Sequence, residues 1–99
     1  MSKRTRFSPD AAAEFEDVAR HVDRARPGWG DRLYGEVFHA LDHIERDPQA
    51  WQVFDAFGDE RRFVLHQFPC VLVFRELEAE IVITAVVYGG REPGYWRGR

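Results

Sequence analysis

The residues best suited to chemistry crowd into one end of the chain, "YGGREPGYWRGR", residues 88–99. Arg91, Arg97 and Arg99 stand there among Tyr88, Tyr95 and Trp96. Clustered guanidinium groups create a local positive field suited to an anionic group on a partner. Arg91 is the most suggestive of them. A conformationally free Gly89-Gly90 pair precedes it, and Pro93 stiffens the chain that follows. Arg61, Arg62 and His66 form a second basic group in the stretch "RRFVLHQF". Each has a plainer reading. Arg61 and Arg62 can pair with Glu76, Glu78 or Glu80, and His66 can be an ordinary surface residue. Tyr95 and Trp96 can fold back over a sheet, burying the ring while the polar tip stays wet.

Other reactive side chains are less promising. His39 and His43 are four apart and could share a helix face, but a metal site needs further ligands with their own spacing, and neither these nor His21 has them. They read as surface histidines, and no metal is expected. Cys70 is the only cysteine, so no intramolecular disulfide can form. No base is implied beside it, so it reads as a small core residue.

The charge is unevenly spread. Residues 1–9 carry +3, residues 10–60 carry −8 and residues 61–99 carry +2, for a net charge of −3. Basic ends therefore flank an acidic middle, and they would make one positive field if the fold brought them together. At 99 residues the chain has room for a single domain, 1–99. Its 44% hydrophobic and 14% aromatic content indicates a globular fold. One cysteine suits a reducing compartment, no apolar run reaches transmembrane length, and the start lacks the apolar stretch of a signal peptide. A cytoplasmic location without membrane attachment is the expectation.

The elements that must position these residues are legible in outline. "KRTRF" alternates and can form a strand. A helix is predicted from Pro9 to Arg26, with Ser8 as its cap, Pro9 at its first position and Ala11, Phe15, Val18, Ala19 and Val22 as its apolar stripe. A second helix follows from Gly30 to Arg46, with Leu33, Val37, Phe38, Leu41 and Ile44 inward. The short link between them implies an antiparallel hairpin, with acidic outer faces in solvent. Val, Ile, Leu and Phe then dominate, predicting strands over 60–68, 70–77 and 80–89, antiparallel because their connections are short. "WQVFDAFGD" reads as an irregular approach or an edge strand. Arg62, Val64 and His66 should share one sheet face, and Val82, Thr84, Val86 and Tyr88 should alternate likewise. The fold class is α+β: an N-terminal strand, then an antiparallel helical hairpin packed on one face of an antiparallel sheet.

Four segments in order, "RFSPDAAAEFEDVARHV", "ALDHIERDP", "RRFVLHQFPCVLVFR" and "IVITAVVYGGREPGYWRGR", resemble the RelE/ParE superfamily of toxins from bacterial type II toxin–antitoxin modules, the plasmid-stabilisation type. The resemblance spans nearly the whole chain. Its most specific parts are the arginine-led strand with "FP" at its turn and the ending itself. It implies the same fold, no cofactor, and a cognate antitoxin protein as partner. It also implies one of two activities. ParE-like members bind and inhibit DNA gyrase, whereas RelE-like members cut mRNA on the ribosome.

RNA cleavage through a 2′-hydroxyl needs a base, an acid and cations for the phosphate. By resemblance, Arg62 corresponds to the strand arginine of the ribonuclease members, Arg91 to their late arginine and Tyr95 to a functional tyrosine in some of them. With His66 these form the catalytic set if the chain is a ribonuclease. Arg61, Arg62, Tyr88, Arg91, Arg97 and Arg99 form the wider target- or phosphate-binding set. Three departures weigh against cleavage. Tyr88 stands where many relatives carry histidine, and an ordinary tyrosine titrates near 10. Cys70 stands where many carry tyrosine. Lys3 is the only lysine, and the net charge is negative, a poor match to ribosomal RNA. The sequence therefore favours a non-catalytic, growth-inhibiting toxin that acts on DNA gyrase by binding. The alternatives are a ribosome-dependent mRNA endonuclease or a non-toxic remnant that binds only its antitoxin.

Overall fold

The computed structural model describes residues 3–51, 53, 59–89 and 94–97. In chain order these form β1 (Arg4–Phe7), α1 (Pro9–Ala25), α2 (Trp29–Arg46), a 3-10 turn (Pro48–Ala50), β2 (Glu60–Val64), β3 (Cys70–Glu76) and β4 (Glu80–Tyr88).

The start of α1 follows from its first residues. The Ser8 hydroxyl accepts from the Ala11 amide at 3.1 Å, and Pro9 occupies a position that needs no N–H. Ala11, Phe15, Val18, Ala19 and Val22 are buried, as their spacing predicts. The link to α2 turns on Gly28, whose φ of 89° suits glycine, and α2 has no side-chain cap of its own. Asp23 of α1 supplies one instead: its Oδ1 accepts from the Gly28 and Gly30 amides at 3.0 and 3.2 Å. Gly30 is buried against α1, where an added Cβ would lie 3.1 Å from the Ala19 carbonyl oxygen. The inward stripe of α2 is Gly30, Leu33, Val37, Ala40 and Ile44. Phe38, expected inside, is 55% exposed. It lies about 100° around the helix from Val37, so that face of α2 turns away from the sheet.

The sheet has the order β1-β4-β3-β2. Tight connections make β2–β3 and β3–β4 antiparallel, as expected. β1 joins in parallel beside β4, with Arg4 opposite Glu80 and Phe7 opposite Ile83, so the sheet is mixed. No hairpin constrains β1, because the chain leaves it directly into α1. β2 ends at Val64, earlier than predicted. The Leu65 amide donates to the Cys70 carbonyl at 2.9 Å, which closes a loop over residues 66–69, and Phe68 turns inward from it. Val53 makes an isolated antiparallel bridge to Arg61, so part of "WQVFDAFGD" does reach the β2 edge. Residues 52 and 54–58 of that stretch lie outside the described residues.

One irregularity decides which side chains face which way. Val73 pairs with Ala85, but Phe74 pairs with Ile83, leaving Thr84 as an extra residue in β4. This β-bulge shifts the alternation by one. Ile81 and Ile83 face the helices before it, and Val86 and Tyr88 face them after it. The helix side holds the main core, in which Leu33, Ile44, Leu72, Phe74, Ile81 and Ile83 are fully buried. Burying each such side chain contributes about 1.5–3 kcal/mol. The other side carries a smaller cluster of Val73, Ala85 and Trp96, with Val71, Val87 and Tyr95 packed against it.

Candidate functional site

The outer face of the sheet is where the C-terminal segment returns. Residues 94–97 form a turn, with Gly94 at φ 82° and the Arg97 amide donating to the Gly94 carbonyl at 3.0 Å. Trp96 lies on Val73 and Ala85 and is only 5% exposed. Apolar area drives that contact, and a carboxylate fixes its orientation. The Trp96 indole N–H donates to Glu60 Oε2 at 2.9 Å. The Thr84 hydroxyl donates to the same oxygen at 3.2 Å, and the Arg97 guanidinium reaches Glu60 Oε1 at 3.3 Å. Glu60 is the one buried charged residue among the described residues.

A second carboxylate holds the other end of the turn. Glu14 of α1 accepts from the Val86 amide at 3.0 Å and from the Tyr95 hydroxyl. Val86 lies past Ile83, where β1 no longer covers the β4 edge. Glu14 and Tyr95 therefore occupy part of an edge that no strand pairs with.

The residues singled out from the sequence are distributed as follows. Arg62 stands on the outer face, opposite Val73. Arg61 stands on the opposite side of β2, and its guanidinium donates to the Trp51 carbonyl at 2.7 Å. The two arginines are sequence neighbours on a strand, so they cannot share a face. Tyr88, carried to the helix side by the bulge, packs edge-on against His21, with ring centroids 5.6 Å apart. His66 lies exposed in the loop beyond β2 and not on the strand face with Arg62. The hydroxyl of Tyr95 is engaged by Glu14, and Arg97 by Glu60. Arg91 and Arg99 lie outside the described residues.

Among the described residues, the basic ends do not pool their charge. Lys3 pairs with Glu76 at 3.0 Å and Arg6 with Glu80 at 2.9 Å, near the β3–β4 turn. Arg97 pairs with Glu60 on β2, at the other edge of the sheet. Hydrogen bonding from Lys3 holds the Glu76 carboxyl below its ordinary value, and hydrogen bonding from Arg75 does the same for Asp59. Burial, reinforced by Glu36 and Glu14, pushes the Cys70 thiol up to about 12, which suits a core residue and not a nucleophile. His39 and His43 approach at 3.1 Å between Nε2 atoms, and no group of three metal-ligating side chains occurs among the described residues. Glu60 and Glu14, which organise the outer face, escaped the sequence reading. The one available signal was an acid at an alternating position with Arg62 and Val64 on a strand.

This architecture has counterparts. The family described as the ParE toxin of type II toxin–antitoxin systems, parDE, matches residues 5–93. The chain belongs to the ParE toxin family. The family assignment and the α+β fold agree with the resemblance read from the sequence. Among solved structures, a chromosomal ParDE TA system from P. aeruginosa superposes with a TM-score of 0.78 at 14% identity, covering 90% of this chain and 98% of that one. No curated protein matches. At that identity the structural likeness speaks for a shared fold. No described helix of this ParE-family chain is long and apolar enough to cross a membrane.

Proposed function

We propose that the chain is a toxin that inhibits DNA gyrase by binding, and that a cognate antitoxin neutralises it. Membership of the ParE family supports the toxin role. The observation that carries the choice of binding over cleavage is the placement, among the described residues, of the groups a ribonuclease would need. Arg62 is on the outer face, Tyr88 on the helix side, His66 in a loop, and the Tyr95 hydroxyl is held by a carboxylate. General acid–base catalysis requires such groups within hydrogen-bond reach of one reacting centre. For the antitoxin, the outer sheet face beside Trp96, where Val71 and Val87 remain half-buried, suits an extended segment that orders as it binds.

Controlled expression with and without the antitoxin, followed by supercoiling and message-integrity assays, tests the reading. Growth arrest, relaxed plasmid DNA and intact messages are expected, with rescue by the antitoxin. Codon-positioned cuts in translated messages would establish the ribonuclease alternative, with Arg62, His66, Arg91 and Tyr95 as the set to mutate. Antitoxin binding without growth arrest would mark a non-toxic remnant.

A further inference from the structure

We propose that Arg26, Trp29 and Arg32, at the tip of the helical hairpin, form a docking point for an acidic segment of the target protein. The proposal rests on the binding-inhibitor reading above, but it concerns a surface remote from the outer sheet face. The Arg26 guanidinium lies over the Trp29 ring at 4.3 Å from the centroid, and that of Arg32 lies at 5.1 Å. Trp29 is braced from below by buried Phe68, in edge-on contact at 5.9 Å. Two exposed cations are thus held on one half-buried indole, itself fixed to the core.

The charges near this point are arranged to leave the two guanidiniums available. Among the described residues, no ion pair or side-chain hydrogen bond engages either one. Two of the nearby carboxylates have other roles. Asp23 accepts from the Gly28 and Gly30 amides, and Glu36 accepts from the Gln67 amide at 3.0 Å. That last contact also ties the loop carrying Phe68 to α2. A stacked guanidinium keeps its N–H edge for a carboxylate, and the ring fixes its direction in advance, lowering the ordering cost of binding. Tryptophan and arginine are also the side chains that most often dominate protein interfaces. An acidic protein segment fits better than nucleic acid, because a chain of net charge −3 repels an extended polyanion beyond the two contacts this point can make.

The test uses the full chain, a short alternating Asp/Glu peptide and a DNA duplex as probes, with binding followed by calorimetry. The peptide should bind the wild type, and binding should weaken as salt rises. Arg26→Glu/Arg32→Glu should weaken it by at least about tenfold. Arg20→Glu/Arg46→Glu makes the same change in net charge on the hairpin away from its tip and should leave peptide affinity within about twofold, as expected of a remote surface charge. Both variants alter exposed side chains, and circular dichroism would confirm that they fold. No peptide binding by the wild type, or equal loss in both variants, would overturn the proposal. So would a duplex that binds more tightly than the peptide and is lost with Arg26→Glu/Arg32→Glu. A supercoiling assay with the wild type runs beside these measurements. Its failure would remove gyrase as the target, while the peptide result still decides whether the hairpin tip docks an acidic segment.

Discussion

Glu60 shows how much one side chain can organise. Its two carboxylate oxygens receive the Trp96 indole, the Thr84 hydroxyl and the Arg97 guanidinium. The indole contact is buried, whereas the Arg97 side chain remains 42% exposed, so solvent screens that pair and the indole contact matters more. Glu60→Ala removes the carboxylate that accepts from the buried Trp96 N–H. A hydrogen bond to a charged group is worth about 1.5–3 kcal/mol, so destabilisation of that order is expected in urea titration. Trypsin should also cut after Arg97 faster in the variant, because the turn over residues 94–97 loses one of its two carboxylate anchors. Unchanged stability together with unchanged cleavage would show that apolar packing of Trp96 alone holds the segment.

At the scale of the element, the two helical glycines of α2 offer opposite expectations. Gly30 faces α1, and a Cβ there would meet the Ala19 backbone oxygen and the Asp23 Cβ, both at 3.1 Å. Backbone cannot yield as a flexible side chain can, and overpacking of this kind costs about 1–3 kcal/mol. That outweighs the gain in helix propensity, so Gly30→Ala should destabilise the hairpin. Gly35 has nothing within 4 Å of its would-be Cβ. Gly35→Ala should therefore stabilise α2 by about 0.8–1 kcal/mol, the difference in propensity alone. Thermal melts of the two variants check both signs. A stabilised Gly30→Ala would mean that the close approach of α1 and α2 is not what that glycine permits.

Over the whole molecule, ion pairs connect parts of the chain far apart in sequence. Lys3 bonds to Glu76 across 73 residues, and Arg75 clasps Asp59 with two hydrogen bonds. Both carboxyls are held below their ordinary values of 4.5 and 3.8 in the folded state. A depressed carboxyl contributes stability above its unfolded value and loses that contribution as pH falls through the folded value. Stability should therefore decline on acidification below about pH 4.5. Lys3→Met, which removes the principal partner of Glu76, should make the decline shallower. Urea midpoints measured at neutral pH and in this acid range would show it, and equal slopes in both proteins would assign the acid sensitivity to other groups. The contribution is modest at any pH, because the Arg75–Asp59 pair is exposed and the Lys3–Glu76 pair only part-buried.

Local rules were enough for the helices. Ser8-Pro9-Asp10 announces α1, and a stripe at 3.6-residue spacing identifies its buried face without reference to anything distant. They were enough also for the antiparallel run from β2 to β4, because short connections allow little else. The order of the segments from "RFSPD" to "GYWRGR" carried the family as well. Tertiary structure decided what local rules do not reach. β1 has no tight turn to set its direction, so only its fit beside β4 made it parallel. Phe38 sits at the margin of a helical stripe, and only the position of the sheet put it outside. Thr84 is an extra residue that no period announces, yet it sends Tyr88 to the helix side, away from Arg62. The environment of the tail arose in the same way: Glu60 and Glu14 lie 36 and 81 residues from the aromatic groups they hold. Spacing along the chain determines which face a side chain takes within its own element. What that face meets depends on contacts between elements, which exist only after the sheet and the hairpin have closed on each other.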